Sequence, residues 1–186
     1  DGSSWTSGGN YPSNIELQFG NGTQTASLAS GGRSYDGSTS TGYSTANIYN
    51  GTSWTSTGAL TANNSQSGSC GTTSASVNIG GSQGPTPSNT NKTEEFNGST
   101  WTTGTNYPAS RHSMGVSGTQ TSAIIFGGGG DTPKTTQSFT YDGTSYATAP
   151  ALGTARYAFA VGTVGNTIGT AIGAGGYNVP GRGAQT

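Results

Sequence analysis

The sequence predicts an all-β protein built from four similar repeats of about 45 to 50 residues, and three observations carry that prediction. Apolar residues fall in short runs that alternate with polar ones. A small-residue turn followed by an aromatic returns at Trp5, Trp54, Trp101 and Tyr146. A glycine pair then follows each aromatic, at Gly31-Gly32, Gly80-Gly81, Gly127-Gly128 and Gly175-Gly176.

The strands are read from the runs Ala75 to Ile79, Ser122 to Phe126, Tyr157 to Val161 and Ile168 to Ile172. Each is about five residues long, rich in β-branched or aromatic side chains and bounded by glycine, which is the strand signature. No stretch offers a three-turn amphipathic stripe of good helix formers. The 34 Gly, 32 Thr and 26 Ser make up about half of the 186 residues, a composition shared with flexible linkers. The regular placement of the apolar residues argues for folded strands instead, and threonine suits the half-exposed face of a strand.

The repeats divide the chain at 1–50, 51–97, 98–142 and 143–186. Seventeen residues after the first three aromatics comes Gly22-Thr23-Gln24-Thr25, Gly71-Thr72-Thr73-Ser74 or Gly118-Thr119-Gln120-Thr121, and twenty-six residues after them comes the glycine pair. The last repeat keeps the plan with a small insertion, its pair lying 29 residues after Tyr146. Identical spacing implies that each feature returns to one structural position. Length varies between the glycine pair and the next aromatic, where Ser82 to Asn89 and Gly130 to Lys134 are turn residues throughout.

Within the third repeat the strands are expected around Ser113 to Ser117, Ser122 to Phe126, Gln137 to Tyr141 and Ser145 to Ala147. Asn50-Gly51, Asn97-Gly98 and Asp142-Gly143 supply the chemistry of a tight hairpin with positive φ before the last of these strands. The glycine pairs mark a point where the backbone turns sharply or passes a neighbouring aromatic too closely for a Cβ. Four short strands per repeat is the size of one β-propeller blade, and a lone blade leaves edges and a face uncovered, so blades must pack side by side.

The pattern of Gly127-Gly128 followed by Phe139, Tyr141-Asp142-Gly143 and Tyr146, matched by Gly80-Gly81, Phe96-Asn97-Gly98 and Trp101, resembles the kelch-like propeller repeats. The Gly/Thr-rich flavour of Thr93 to Trp101 and Gly118 to Thr121 is similar to kelch-like arrays in phage structural and environmental sequences. The resemblance covers the whole chain. Full repeat coverage without a catalytic constellation points to a noncatalytic structural or attachment module, and the resemblance implies a place on a virion or outside a cell, with other structural subunits or a host surface glycan as partners. The alternative is an extracellular propeller that binds carbohydrate or another ligand. A single four-bladed ring is expected, closed by Asp1 to Thr6 acting as the outer strand of the blade that holds Tyr157 to Val161 and Ile168 to Ile172, beside Ala184 to Thr186. A four-blade portion of a longer or multi-chain array is the other reading.

Charge and chemistry-bearing residues narrow the function further. Six Lys and Arg against seven Asp and Glu give a net charge of -1, so there is no field to draw a nucleic acid, and no apolar stretch is long enough to span a bilayer as a helix. The single Cys70 cannot form an intrachain disulfide and reads as a small buried residue, and with the single His112 it cannot make a closed zinc site. No cofactor is expected. His112 lacks an identifiable nucleophile and orienting group for general-base work, and its neighbour Arg111 has a counterpart in Arg156, each ten residues past its aromatic; both read as structural arginines bonding loop carbonyls between blades. Glu94 and Glu95 are adjacent in a strand and so face opposite ways, which disfavours a shared acid/base pair. Phe126 to Asp131 lacks the lysine and the strand-to-helix context of a phosphate loop. Trp5, Trp54, Trp101 and Tyr146 read as a layer at equivalent depth between blades. Binding residues are sought instead in the variable loops Arg33 to Ser44 and Gln83 to Thr93. Asn-x-Ser/Thr sequons stand at Asn21, Asn50, Asn63, Asn91 and Asn97, three of them in Asn-Gly turns.

Overall fold

The computed structural model describes residues 3–83, 88–129, 134–163, 171–178 and 181–182, and among these it is all-β. The chain runs β1 (Phe19–Thr23), β2 (Ala26–Ser30), β3 (Arg33–Tyr35), β4 (Ser40–Gly42), β5 (Ala46–Tyr49), β6 (Trp54–Thr57), β7 (Gly68–Gly71), β8 (Ser76–Ile79), β9 (Ser82–Gln83) and β10 (Ser88–Asn89). It continues through β11 (Thr93–Phe96), β12 (Trp101–Thr103), β13 (Gly115–Thr119), β14 (Ser122–Phe126), β15 (Ser138–Tyr141) and β16 (Tyr146–Ala149). The last described strands are β17 (Ala160–Thr163), β18 (Ala171–Ala174), β19 (Tyr177–Asn178) and β20 (Gly181–Arg182).

Three four-stranded antiparallel meanders follow one another, β1-β2-β5-β6, β7-β8-β11-β12 and β13-β14-β15-β16, and a fourth sheet is described through its first two strands, β17-β18. The first strands of successive sheets lie side by side, β1 on β7, β7 on β13 and β13 on β17. The core therefore sits between sheets. Phe19, Leu28, Ala46, Leu60, Phe96 and Trp101 fill the gap between the first and second. Cys70, Val77, Ile79, Met114, Val116 and Ile125, with Tyr107 and Tyr141, fill the gap between the second and third.

The expected hairpin turns form as their chemistry requires. In the turn before β16, Gly143 takes φ 93° and Asp142 Oδ1 accepts the amides of Thr144 (2.8 Å) and Ser145 (2.7 Å). Asn50 and Asn97 do the same with the amides two and three residues on. The Thr144 and Ser145 amides, then the two hydroxyls, hold the Asp142 carboxyl well below the usual carboxylate range. A depressed folded pKa means that the turn's contribution is complete above the ordinary aspartate pKa of about 4 and is lost as pH falls toward the folded value. Asp142→Asn, the side chain of the other two turns, is expected to preserve stability at neutral pH and flatten the loss in acid. Denaturant midpoints of both proteins at neutral pH and below pH ~3 check this.

Several expectations need correction. The strands placed at Ser113 to Ser117 and Tyr157 to Val161 start later, at Gly115 and Ala160, because Ser113 and Ala158 take φ 52° and cannot sit in a strand. Leu17 (φ 55°) and Gln66 (φ 57°) occupy the same place, twelve residues past the aromatic, in the other repeats. The segments after the glycine pairs are not only turns: β3-β4, β9-β10 and β19-β20 are two-stranded ribbons. Gly84 to Pro87 and 130–133 of these segments lie outside the described residues.

No closed ring is formed by the described residues. Ser4 to Asn10 is not a strand, and Trp5 is fully exposed rather than paired with the fourth sheet. The segment lies against the first sheet instead: Gly9 O accepts Trp54 Nε1 at 3.2 Å, and the Tyr11 ring packs edge-on to Trp54 at 5.0 Å. Of the fourth sheet β17 and β18 are described, and Ala184 to Thr186, the expected neighbours of Asp1 to Thr6, lie outside the described residues.

Candidate functional site

The variable segment that follows the first glycine pair borders an open surface cavity. The ribbon β3-β4 turns on Asp36-Gly37, where Gly37 has φ 95° and Asp36 Oδ1 accepts the amides of Ser38 (2.9 Å) and Thr39 (2.7 Å). Those amides, Thr39 first, lower the Asp36 pKa, so its carboxylate is charged and partly committed to the turn. The ribbon is anchored to the preceding loop by the Glu16–Arg33 backbone bridge and by an ion pair between Arg33 Nε and Glu16 Oε1 at 3.0 Å. Between them lies an open cavity of about 390 Å³ lined by Asn14, Ile15, Glu16, Ser34, Tyr35 and Asp36. Tyr35 is 60% exposed, and its hydroxyl donates to Gly37 O at 2.9 Å, which ties the ring to the hairpin turn. An aromatic face flanked by amide and carboxylate groups is the composition that sugar hydroxyls and ring C–H faces recognise.

The residues expected to be structural do different amounts of that work. Trp101 is buried, and its ring lies 5.0 Å from that of Phe96. Trp54 is half-buried between Tyr11 and Tyr49, with Nε1 donating to Gly9 O at 3.2 Å. Tyr146 is half-buried, 4.6 Å from Tyr141 between centroids, its hydroxyl hydrogen-bonded with Thr93 Oγ1. Trp5 touches nothing of this layer, so the equal depth expected of the four aromatics does not occur. Trp54→Ala is accordingly expected to cost about 1 to 2 kcal/mol, well short of a fully buried tryptophan, measured by thermal or chemical denaturation.

Arg111 and Arg156 are both buried, and their carbonyls accept the amides of Gly81 (2.7 Å) and Gly128 (2.8 Å) in the preceding repeat. Arg156 Nη1 donates to Gly175 O at 2.9 Å, and Arg111 Nη2 to Gln137 Oε1 at 3.4 Å. The glycine pairs are where those carbonyls arrive. At Gly127, φ is 67° and a Cβ would lie 2.7 Å from Arg156 O and 2.9 Å from the Phe159 ring, so both the turn and the close approach hold there. Gly31, Gly32, Gly80, Gly81, Gly128, Gly175 and Gly176 share the left-handed backbone.

The chemistry-bearing groups are engaged in the scaffold. His112 pairs its backbone with Gly129, bonds Ser113 Oγ through Nδ1 at 3.0 Å and sits edge-on to Tyr157. Glu94 and Glu95 do point apart: Glu94 Oε1 accepts Thr61 N at 2.7 Å toward the first sheet, and Glu95 Oε1 accepts the Tyr141 hydroxyl at 2.8 Å toward the third. Burial pushes the Tyr107 hydroxyl and the Cys70 thiol each up to about 12. Cys70 is therefore expected to resist alkylation in the native protein at pH ~8 and to react fully in denaturant, read by mass spectrometry. Among the described residues no three His, Cys, Asp or Glu side chains gather, and no helix is long and apolar enough to cross a membrane.

Sequence reasoning pointed to Arg33 to Ser44 as a binding loop but missed its opposite wall, Asn14 to Glu16. That wall joins the ribbon through one backbone bridge, which leaves no residue-type signature. Compared with known proteins, the sequence matches no family model, and no curated protein is significantly similar to it.

Proposed function

We propose that the chain is a noncatalytic scaffold of the kelch-like propeller kind, its successive sheets acting as blades of a structural or attachment module on a virion or outside a cell. One observation carries this reading: each junction between repeats is tied by the same backbone bonds, and His112, Cys70, Glu94 and Glu95 are engaged in that framework. Residues so held serve rigidity, and rigid repeats present surfaces. Electron microscopy of the native assembly is expected to place the chain as a repeating structural component. A turnover assay that detects hydrolysis or oxidation abolished by His112→Ala in a folded protein would sink the reading.

The cavity beside Tyr35 favours a second reading, in which the ribbon β3-β4 binds a saccharide. Tyr35 supplies a stacking face, and Asn14, Glu16, Ser34 and Asp36 supply acceptors and donors for hydroxyls. A glycan array with the wild-type chain is expected to show selective binding, reduced about tenfold or more by Tyr35→Ala, the loss of about 1.4 kcal/mol. Equal binding by both proteins, or none by either, would remove it.

A further inference from the structure

Each junction between neighbouring repeats is one interface used three times. At each, the second glycine of the pair donates to the carbonyl ten residues past the next aromatic: Gly32 N to Asn64 O (2.7 Å), Gly81 N to Arg111 O (2.7 Å) and Gly128 N to Arg156 O (2.8 Å). At each, the left-handed residue two positions further on donates to its counterpart in the preceding repeat: Gln66 N to Leu17 O (3.2 Å), Ser113 N to Gln66 O (2.7 Å) and Ala158 N to Ser113 O (2.9 Å). These bonds form a chain of amides and carbonyls along the first strands. The chain has two ends. Among the described residues, the Leu17 amide and the Ile15 carbonyl at one end, and the Ala158 carbonyl and Gly176 amide at the other, have no such partner.

The side chains show the same asymmetry. Leu28 and Val77 occupy equivalent places in the second strands of the first two sheets, each paired one strand over with Asn21 or Cys70, and both are buried against the next sheet. Leu28 shares its cluster with Phe96 and Trp101 of that next sheet. Their counterpart in the third sheet, Ile124 opposite Ser117, is half-buried, and Ile172, opposite Gly162 in β18, is 60% exposed, with no further sheet beside it among the described residues. Of the four large apolar residues exposed among the described residues, Trp5 and Leu17 lie in the first repeat and Ile172 in the last. Tyr49 and Trp54, which correspond to Phe96 and Trp101, are half-buried on the outer side of the first sheet. The molecule thus presents both halves of an interface whose backbone bonds recur at three internal junctions and whose buried second-strand residue recurs at two, Leu28 and Val77.

We infer that these two end faces bind each other, the tail face of one chain (Ala158, Ile172, Gly176) docking on the head face of a second copy (Ile15, Leu17, Tyr49, Trp54). The contact is heterologous, so it either closes into a ring or runs on into a filament, and it stands whether or not the ribbon binds a sugar. In the assembled state Ile172 packs on Tyr49 and Trp54 of the second copy, and the Leu17 amide donates to the second chain's Ala158 carbonyl.

The test is sedimentation of the intact chain over a concentration series, with two variants at exposed positions, Ile172→Asp on the tail face and Leu17→Glu on the head face. Wild type is expected to reach at least twice the mass of one chain, with a change in tryptophan emission as Trp54 is covered. Each variant alone is expected to stay a monomer with native circular dichroism and a protected Cys70. A mixture of the two has one intact head face and one intact tail face, and is expected to form a heterodimer and stop there. A wild type that remains monomeric throughout overturns the inference. So does association unaffected by either variant, which would place the contact elsewhere, and so does a mixture that fails to pair.

Discussion

Trp101→Ala is expected to cost about 3 to 5 kcal/mol, while Trp5→Ala leaves stability within about 0.5 kcal/mol. The two residues hold the same position in their repeats, so the difference comes from surroundings alone. Trp101 is 6% exposed and packs with Phe96, Leu28, Leu60 and Phe19 in the gap between the first and second sheets. Removing its ring takes a large apolar volume from a site walled by two sheets, which cannot collapse without moving both. Its indole N–H has no hydrogen-bond partner among the described residues, so Trp101→Phe loses less, about 1 kcal/mol, since a buried unsatisfied donor leaves with the indole. Trp5 is 103% exposed, and its truncation removes no packing. Chemical denaturation of the three variants checks the ordering. A Trp101→Ala protein as stable as wild type would show that the gap between these sheets is not the core.

What the sequence made legible follows from where residue identity and conformation are tied. Asn50, Asn97 and Asp142 sit before glycine because only a short side chain with an acceptor oxygen closes that turn, and the turns were readable. The glycine pairs were readable because no other residue tolerates φ near 65° with a carbonyl against the Cβ position. Leu17, Gln66, Ser113 and Ala158 share a left-handed backbone but no chemistry, because the amide chain between repeats imposes that conformation and the side chains do not prefer it. Their period was invisible, and the strands beginning nearby were placed too early. The described residues form no closed ring for a related reason. Matching a spare aromatic segment at Asp1 to Trp5 to the last repeat counts strands, whereas pairing depends on contacts, and Gly9 and Tyr11 tie this segment to Trp54 of the first sheet. The surface cavity beside Tyr35 was half legible: the ribbon lies in a segment of varying length, whereas Asn14 to Glu16 joins it through the Glu16–Arg33 bridge, which spans 17 residues without a pattern.

Substituting the glycine pairs separates local from global stability, because each pair belongs to one junction. Gly127→Ala is expected to lose about 2 to 5 kcal/mol at the junction of the third and fourth sheets, combining about 1 to 2 for a left-handed Cβ with about 1 to 3 for overpacking. The Cβ lies 2.7 Å from Arg156 O, a backbone atom that can retreat only by giving up its bond from Gly128 N at 2.8 Å. That bond helps hold β17 beside β13. In an array where each unit touches only its neighbours, the damage stays local. Amides of β17 are expected to exchange faster, while Cys70, between the second and third sheets, stays protected from alkylation. Gly80→Ala strikes the next junction inward, where the Cβ would meet the Arg111 carbonyl and lie 2.7 Å from Met114 Cε, and there the Cys70 thiol is expected to become reactive. Gly153→Ala is the control: its Cβ meets nothing within 4 Å and its φ is not left-handed, so stability should be unchanged or rise by a few tenths of a kcal/mol, about 0.4. Equal Cys70 reactivity in the Gly127 and Gly80 variants would mean that the sheets melt as one cooperative unit. Their order would mean that each junction carries its own share, which is the behaviour the threefold repetition of the same bonds requires.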